Sequence, residues 1–484
     1  MAAAAGSEAR AGHEPRRRRV IEPAIASART RVFAVGWAIA AIYDKLWWKH
    51  WSGVPSNFAL VAAGLLLIAR PESAAVLLAF AAVQVVDWSF EPTVMGGHFL
   101  LLASVNASIL VTGTWMLATG RLRTDDGPAL LNTAAPALRT ELIVAYLVAT
   151  LHKLNLDFLD PGTSCVAVLL HEANEQALPL RFLPRVPDGL VRPAIHATLF
   201  VEAAIPLLLW LRRGRTAGIG LALLFHSLLS SGPRNGFSAF AIVILPLLVL
   251  FSSEASAARL VDATRAVRTR LSEGFAGRMG PWLAGLVLLV VSATADRLGM
   301  YRLFPFWITL DLSLLAFFTA EVLHHRADIG DASPRLFDVE SAVLAVMPAL
   351  LLASSLSPYL GLKTEGSFAM FSNLRTEGPH PNSLVVPGEA KLFGLQDDLV
   401  EVKDTSVAEL EPLVGRGVRV PFFHLRSLLT PHPEGSVVFV RDGREIRIDR
   451  VDRHPDLLPP VPGWQRRLLP FRAVDAEGPQ RCRH

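Results

Sequence analysis

Cysteine is nearly absent. Cys165 and Cys482 are the whole complement in 484 residues, too few for a disulfide framework and without the spacing of a metal site. They read as two unpaired thiols, with one bridge open to them only if both face an oxidising compartment, and no metal is expected. Charge is also scarce. Asp, Glu, Lys and Arg make up 19% of the chain, with a net charge of +4, and the arginines fall in short clusters between apolar runs. That pattern excludes the broad basic face of a nucleic-acid-binding protein. The first thirty residues are Ala-rich, carry Arg16 to Arg19 and hold no apolar core before Arg31, so a disordered basic arm without a cleavable signal is expected over 1–30.

What the chain has in excess is apolar surface. Hydrophobic residues make up 51% of it and the mean hydropathy is +0.38, more than one soluble core of this length needs. The expected fold is a polytopic all-α membrane domain of about eleven spans, followed by a small β-rich extramembrane domain. The apolar runs lie near 31–50, 57–69, 73–90, 98–118, 138–156, 191–211, 216–231, 236–252, 281–297, 304–323 and 340–358. Residues 31–255 are expected to form one membrane domain and 256–358 additional transmembrane helices. Arg clusters recur in alternate loops, at Arg70, at Arg121 and Arg123, at Arg212, Arg213 and Arg215, and at Arg259 to Arg270. This predicts a cytoplasmic N-terminus and, with an odd number of spans, an extracytoplasmic domain over 359–484. Asp44, Lys45 and Lys49 lie among Trp47, Trp48 and Trp51 and read as an interfacial anchor. In the C-terminal part, Asp442 and Gly443 separate two alternating segments, the signature of a tight hairpin.

Against this apolar background the polar residues stand out. Tyr146 to Asp160 reads YLVATLHKLNLDFLD and puts His152 and Lys153 at the end of the fifth run. A Lys deep in a bilayer costs roughly 2.5 to 3.5 kcal/mol and is a functional candidate by default; the alternative is a snorkelling side chain at the interface. His98 opens the fourth run and His226 lies toward the same end of the seventh, so four ionisable groups converge on one leaflet. A single buried His more often only packs helices, whereas convergence with a Lys suits proton transfer. Asp87, Glu91 and Asp157 are the carboxylates placed to pair with Lys153. His196 and Glu202 fall in the inner or middle part of the sixth run and are left outside the site.

The segment ELIVAYLVATLHKLNLDFLDPGTS resembles the membrane segment of vitamin K-dependent gamma-carboxylases and the wider group of HTTM-domain proteins, where a helix ends in Lys-Lys-Leu and an Asp-x-Asp-Trp pattern. Lys153 falls on the family's catalytic Lys; His152, Asn155 and Phe158 depart from its first Lys, an Asp and the Trp. VDWSFEPTVMGGHFLLLASVNASIL keeps the family His at His98, with Gly96 and Gly97 in place of two Asn. FVEAAIPLLLW resembles the acidic-then-Pro helix, and LLFHSLLSSGPRNGFSAFAIVIL places His226 on a family His. The resemblance covers about residues 30–255, and nothing in the C-terminal part matches the large lumenal region of the animal enzymes.

This resemblance implies an integral membrane enzyme that couples oxidation of a reduced quinone, vitamin K hydroquinone or menaquinol, to proton abstraction from a Glu-containing substrate and its carboxylation. The implied roles are Lys153 as base, His98 as quinone-oxygen partner or proton relay, and His226, His152 and Asp157 as supporting pocket residues. The implied partners are the lipid bilayer, a lipid-soluble quinone and a secreted Glu-containing peptide or protein. Two other readings stay open: a non-carboxylating HTTM protein acting in maturation or export of a partner, and a quinone-linked redox protein.

Overall fold

The computed structural model describes residues 27–47, 55–89, 96–176, 187–230, 237–273, 286–287, 290, 304–324, 336 and 338–482. The basic arm, Glu91, Trp48, Lys49, Trp51 and most of the apolar run at 281–297 lie outside them. The helices are α1 (Ala28–Trp47), α2 (Pro55–Ala69), α3 (Ala74–Trp88), α4 (Gly97–Ala118), α5 (Gly127–Lys153), α6 (Leu156–Leu159), α7 (Cys165–Gln176), α8 (Val191–Trp210), α9 (Arg215–Leu229), α10 (Phe237–Val249), α11 (Glu254–Glu273), α12 (Phe304–His324), α13 (Val346–Ser355) and α14 (Ser357–Leu360).

The expected eleven-span bundle is not what forms. Among the described residues, four helices are long and apolar enough to cross a membrane: Gly97–Ala118, Gly127–Lys153, Val191–Trp210 and Pro305–His324. This is the character of a multi-pass membrane protein. The apolar helices Asn57–Ala69, Ala74–Trp88, Arg215–Leu229, Phe237–Val249 and Ala342–Ser355 are shorter. At a rise of about 1.5 Å per residue, 15 residues of helix (α3 and α9) reach only about 22 Å, short of a hydrocarbon core of roughly 30 Å. Apolar runs were thus overcounted as spans because apolarity alone does not separate a crossing helix from one buried inside the bundle. Helix α10 shows the difference: Ser238, Ala239 and every residue from Ala241 to Val249 are buried, so its apolar surface faces protein on all sides. Helix α11 carries four arginines in its 20 residues and is not a membrane helix.

Helix α5 is central. It packs on α4, α8 and α13, while α1 packs on α2 and α10, and α9 on α8 and α12. The Asp126 carboxylate caps its N-terminus by accepting from the Ala129 N–H at 2.9 Å, which satisfies one of the orphan donors there. Its C-terminus stops at Leu154, and Asn155 immediately caps α6, its Oδ1 accepting from the Phe158 N–H at 2.8 Å. Asn155 therefore does the capping. Phe158 is fully buried with Val191 and Ile195.

The C-terminal part holds an open five-stranded sheet, β1 (Leu399–Thr405), β2 (Val418–Pro421), β3 (Val437–Arg441), β4 (Arg444–Ile448) and β5 (Val474–Asp475), in the order β4-β3-β1-β2-β5. The four strand pairings are antiparallel. Asp442 and Gly443 both have positive φ and close the β3–β4 hairpin, as a two-residue turn of this composition requires. Helices α15 (Phe422–Leu429) and α16 (Gly463–Leu468) flank the sheet. Between α14 and β1 runs an irregular loop that packs onto the end of the bundle. Gly361 starts it with φ +79°, and a Cβ there would lie 1.9 Å from the Phe393 carbonyl oxygen, so only Gly fits.

Cys165 at the start of α7 is bonded to Cys482, which corrects the reading of two unpaired thiols. Sequence separation of 317 residues hid the pair. The Asn373 side chain completes the seam, accepting from the Cys165 N–H at 2.8 Å and donating to the carbonyls of Thr163 and Gln480, each at 2.9 Å.

Candidate functional site

Helices α1, α3 and α5 end, and α4 begins, at the face of the bundle that the irregular loop covers. That face holds two buried ion pairs. In the first, Lys153 Nζ lies 2.9 Å from Glu202 Oε1, with both side chains less than a tenth exposed. Lys153 sits at the last turn of α5 and Glu202 in the second half of α8. About two turns further down α5, and close enough for the Glu202 charge to act on it, the Tyr146 hydroxyl is 2.8 Å from His226 Nε2. The Lys153 charge acts on His226 in turn. Lys153, Glu202, Tyr146 and His226 therefore form one polar cluster fed by α5, α8 and α9. Within it Glu202 Oε2 and His226 Nδ1 make no hydrogen bond.

Exclusion of Glu202 from the site is thus corrected. A carboxylate halfway along one helix and a Lys at the end of another meet because α8 packs along α5, an offset that residue counting along separate runs does not reveal. The exclusion of His196 stands beside it, since that residue is exposed. Neither of the expected partners of Lys153 among the described residues pairs with it: Asp87 pairs with Lys45, and Asp157 accepts from Asn382 and Gln480.

The second pair is Lys45 Nζ with Asp87 Oδ2 at 2.6 Å, on α1 and α3. Beside it His98 Nε2 lies 3.2 Å from Asp44 Oδ1. These residues are buried, so Asp44 and Lys45 belong to the interior and not to an interfacial anchor. A cavity of about 10 Å³ lined by Asp44, Lys45, Gln84 and Asp87 adjoins them, room for one water at most. Sequence reasoning missed this pair because its Lys stands in a Trp-rich and Lys-rich stretch. The available signal was a Lys and an Asp near the ends of two neighbouring apolar helices.

His152 is fully buried and packs on Tyr359, ring centroids 5.3 Å apart. The Phe368 backbone faces its ring, and the Phe368 ring lies where a Cβ on Gly97 would stand, 2.9 Å away. Met370 Sδ accepts from the Gly97 N–H at 3.0 Å. Gly96 and Gly97 therefore let the loop sit directly on His98 and His152. Asp157 serves the seam: its Oδ2 accepts from Asn382 Nδ2 at 2.6 Å and from the Gln480 N–H at 2.9 Å.

Further out, Arg472 holds the loop by donating to the carbonyls of Ala369 and Leu374, and its Nε lies 3.5 Å from Glu377 Oε1. Lys363, on the loop, has its pKa pushed down to about 8 by burial. Among the described residues no group of His, Cys, Asp and Glu has the arrangement of a metal site. Set against known proteins, the chain matches no family model, no curated protein and no solved structure.

Proposed function

We propose that the protein is a membrane enzyme in which Lys153 acts as a general base on a lipid-soluble reduced quinone, whose oxidation by dioxygen is coupled to proton abstraction from a secreted Glu-containing substrate and capture of carbon dioxide by the resulting carbanion. The observation that carries this reading is the buried Lys153–Glu202 pair. In a low-dielectric interior an ammonium and a carboxylate in contact are interconvertible with an amine and a carboxylic acid, without any change in net charge. Moving the proton from Nζ to Oε1 leaves a neutral Lys153 that can accept another. Glu202 is thus the positioning and proton-holding partner of the base, and the Tyr146–His226 hydrogen bond extends the same polar surface toward α9.

The donor set fits a quinol. Glu202 Oε2 and His226 Nδ1 are buried polar atoms without a hydrogen-bond partner, and they suit a ligand that brings hydroxyl or carbonyl oxygens into an apolar bundle. Lys153, Glu202 and His226 would hold the ring; when bound, the quinol would supply the electrons that reduce dioxygen, and so the strong base that the proton abstraction needs. Burial beneath the loop excludes water, which protects a carbanion on the acceptor from being quenched.

The orientation that suits this chemistry has the N-terminus in the cytoplasm and the sheet outside. It is supported by the Arg clusters and by the Cys165–Cys482 bridge, since disulfides persist in oxidising compartments.

The test is an assay in membranes with vitamin K hydroquinone or menaquinol, a Glu-containing peptide and labelled bicarbonate. Quinol-dependent incorporation of label is expected in wild type, and its loss in Glu202→Gln, which cannot take the proton from Lys153. Quinol consumption without incorporation supports the redox reading instead. Absence of both activities in folded wild-type protein contradicts the proposal.

A further inference from the structure

We infer that the C-terminal domain carries an apolar lip that is immersed in the headgroup and acyl boundary of the leaflet nearest Lys153, so that this domain binds lipid as well as the bundle. The lip has three parts, each with large apolar side chains turned outward. Leu384 and Val385 are 52% and 53% exposed, Leu392 and Phe393 74% and 46%, Trp464 and Leu468 63% and 48%. Exposed apolar side chains in such pairs mark an interaction surface more often than chance exposure does.

The depth of each part is set by what holds it. The Leu384 N–H donates to the Leu154 carbonyl at 3.0 Å, and those of Leu392 and Phe393 to the Leu360 carbonyl at 3.1 and 3.0 Å. Arg467 of α16 donates to the Trp88 carbonyl at 2.9 Å. Leu154, Leu360 and Trp88 stand at the ends of α5, α14 and α3, so all three parts lie level with the place where the apolar helices stop. A bilayer that covers α5 necessarily ends at this level.

Continuity points the same way. Leu156, 61% exposed, donates its N–H to the Asn382 carbonyl at 3.1 Å, and Asn155 bridges to Ser383. The exposed apolar surface of the α5–α6 corner thus runs directly into Leu384 and Val385. On α16, Trp464 and Leu468 are four residues apart and share one face, beside Arg466 and Arg467. That combination of an aromatic ring, an aliphatic chain and guanidinium groups is the composition of a membrane–water interface. The far edge of the sheet is different: Arg444, Glu445 and Arg447 of β4 are exposed, and suit water. Lipid is favoured over a protein partner because the three parts are attached to the ends of three separate helices, whose common surroundings are the bilayer.

Spin labelling of the full-length protein in nanodiscs tests this. Single cysteines are introduced as Val385→Cys, Leu392→Cys and Trp464→Cys, with Arg447→Cys as the aqueous control; the native cysteines are bonded to one another and do not take the label. At the three lip positions oxygen is expected to relax the nitroxide more than a water-soluble nickel chelate does, and at Arg447 the order is reversed. Nickel dominating at all the lip positions overturns the inference. So does label immobilisation that rises with protein concentration at constant lipid, which indicates a second copy of the chain on this surface.

Discussion

Two buried lysine–carboxylate pairs lie at the same end of the helix bundle, and what surrounds them sets them apart. Lys153 has a single carboxylate, Glu202, and neutral company in Tyr146 and His226. Lys45 has Asp87 in contact and Asp44 lining the same small cavity, with His98 beside Asp44. A proton moved from Lys153 to Glu202 leaves no net charge behind. A proton moved from Lys45 to Asp87 leaves Asp44 facing that cavity with only the His98 imidazole in contact with it. The same pair of residue types is therefore suited to proton exchange in one setting and to holding three helices together in the other.

The largest effects should come from breaking each pair on one side. Lys153→Ala leaves Glu202 buried and unpaired, and Lys45→Ala does the same to Asp87. Each should lower stability by about 3 to 5 kcal/mol, whereas replacing both members with apolar residues should be close to neutral. Thermal unfolding in detergent of Lys153→Met/Glu202→Leu and Lys45→Met/Asp87→Leu checks this. Activity then separates the pairs: quinol-linked turnover should vanish in the first double variant and persist in the second. Equal loss in both would erase the distinction drawn between them.

A buried imidazole in the sheet domain sharpens the contrast, because it has no carboxylate partner to stabilise a charge. His424 on α15 accepts the Phe471 N–H at its Nδ1, 3.4 Å away, and burial pushes its pKa down to about 4. The unfolded chain takes up this proton below about pH 6.5, and the folded one only below about 4. Stability present above pH 6.5 is accordingly lost as the pH falls through that window, by about 3 kcal/mol at most. Melting curves at pH 7 and pH 4.5 should show a drop in wild type that is smaller in His424→Asn, whose amide oxygen replaces the Nδ1 acceptor. An equal drop in both would assign the loss to other groups.

Much of this molecule is readable from local pattern. The apolar runs around α4, α5, α8 and α12, the Asp442–Gly443 hairpin and the place of Lys153 at the end of an apolar helix all follow from residues close together in the chain. What failed depends on packing between distant segments. Helix α10 is as apolar as a membrane span yet is buried in protein, so composition overcounted the spans. Glu202 and Lys45 acquire their partners through helix offsets that no spacing rule encodes, and Cys482 finds Cys165 only because the tail folds back on α7. Gly96 and Gly97 carry no side chain that could mark a site. In the structure they admit Phe368 and Met370 to the site.

The central claim is that Lys153 acts as a base and not merely as a charge. Lys153→Arg tests it most directly, since a guanidinium keeps Glu202 paired but does not give up its proton at neutral pH. Quinol oxidation in membranes should fall to background in Lys153→Arg, while its melting temperature stays above that of Lys153→Ala. Wild-type turnover in Lys153→Arg would mean that charge alone suffices, and the general-base role would be contradicted.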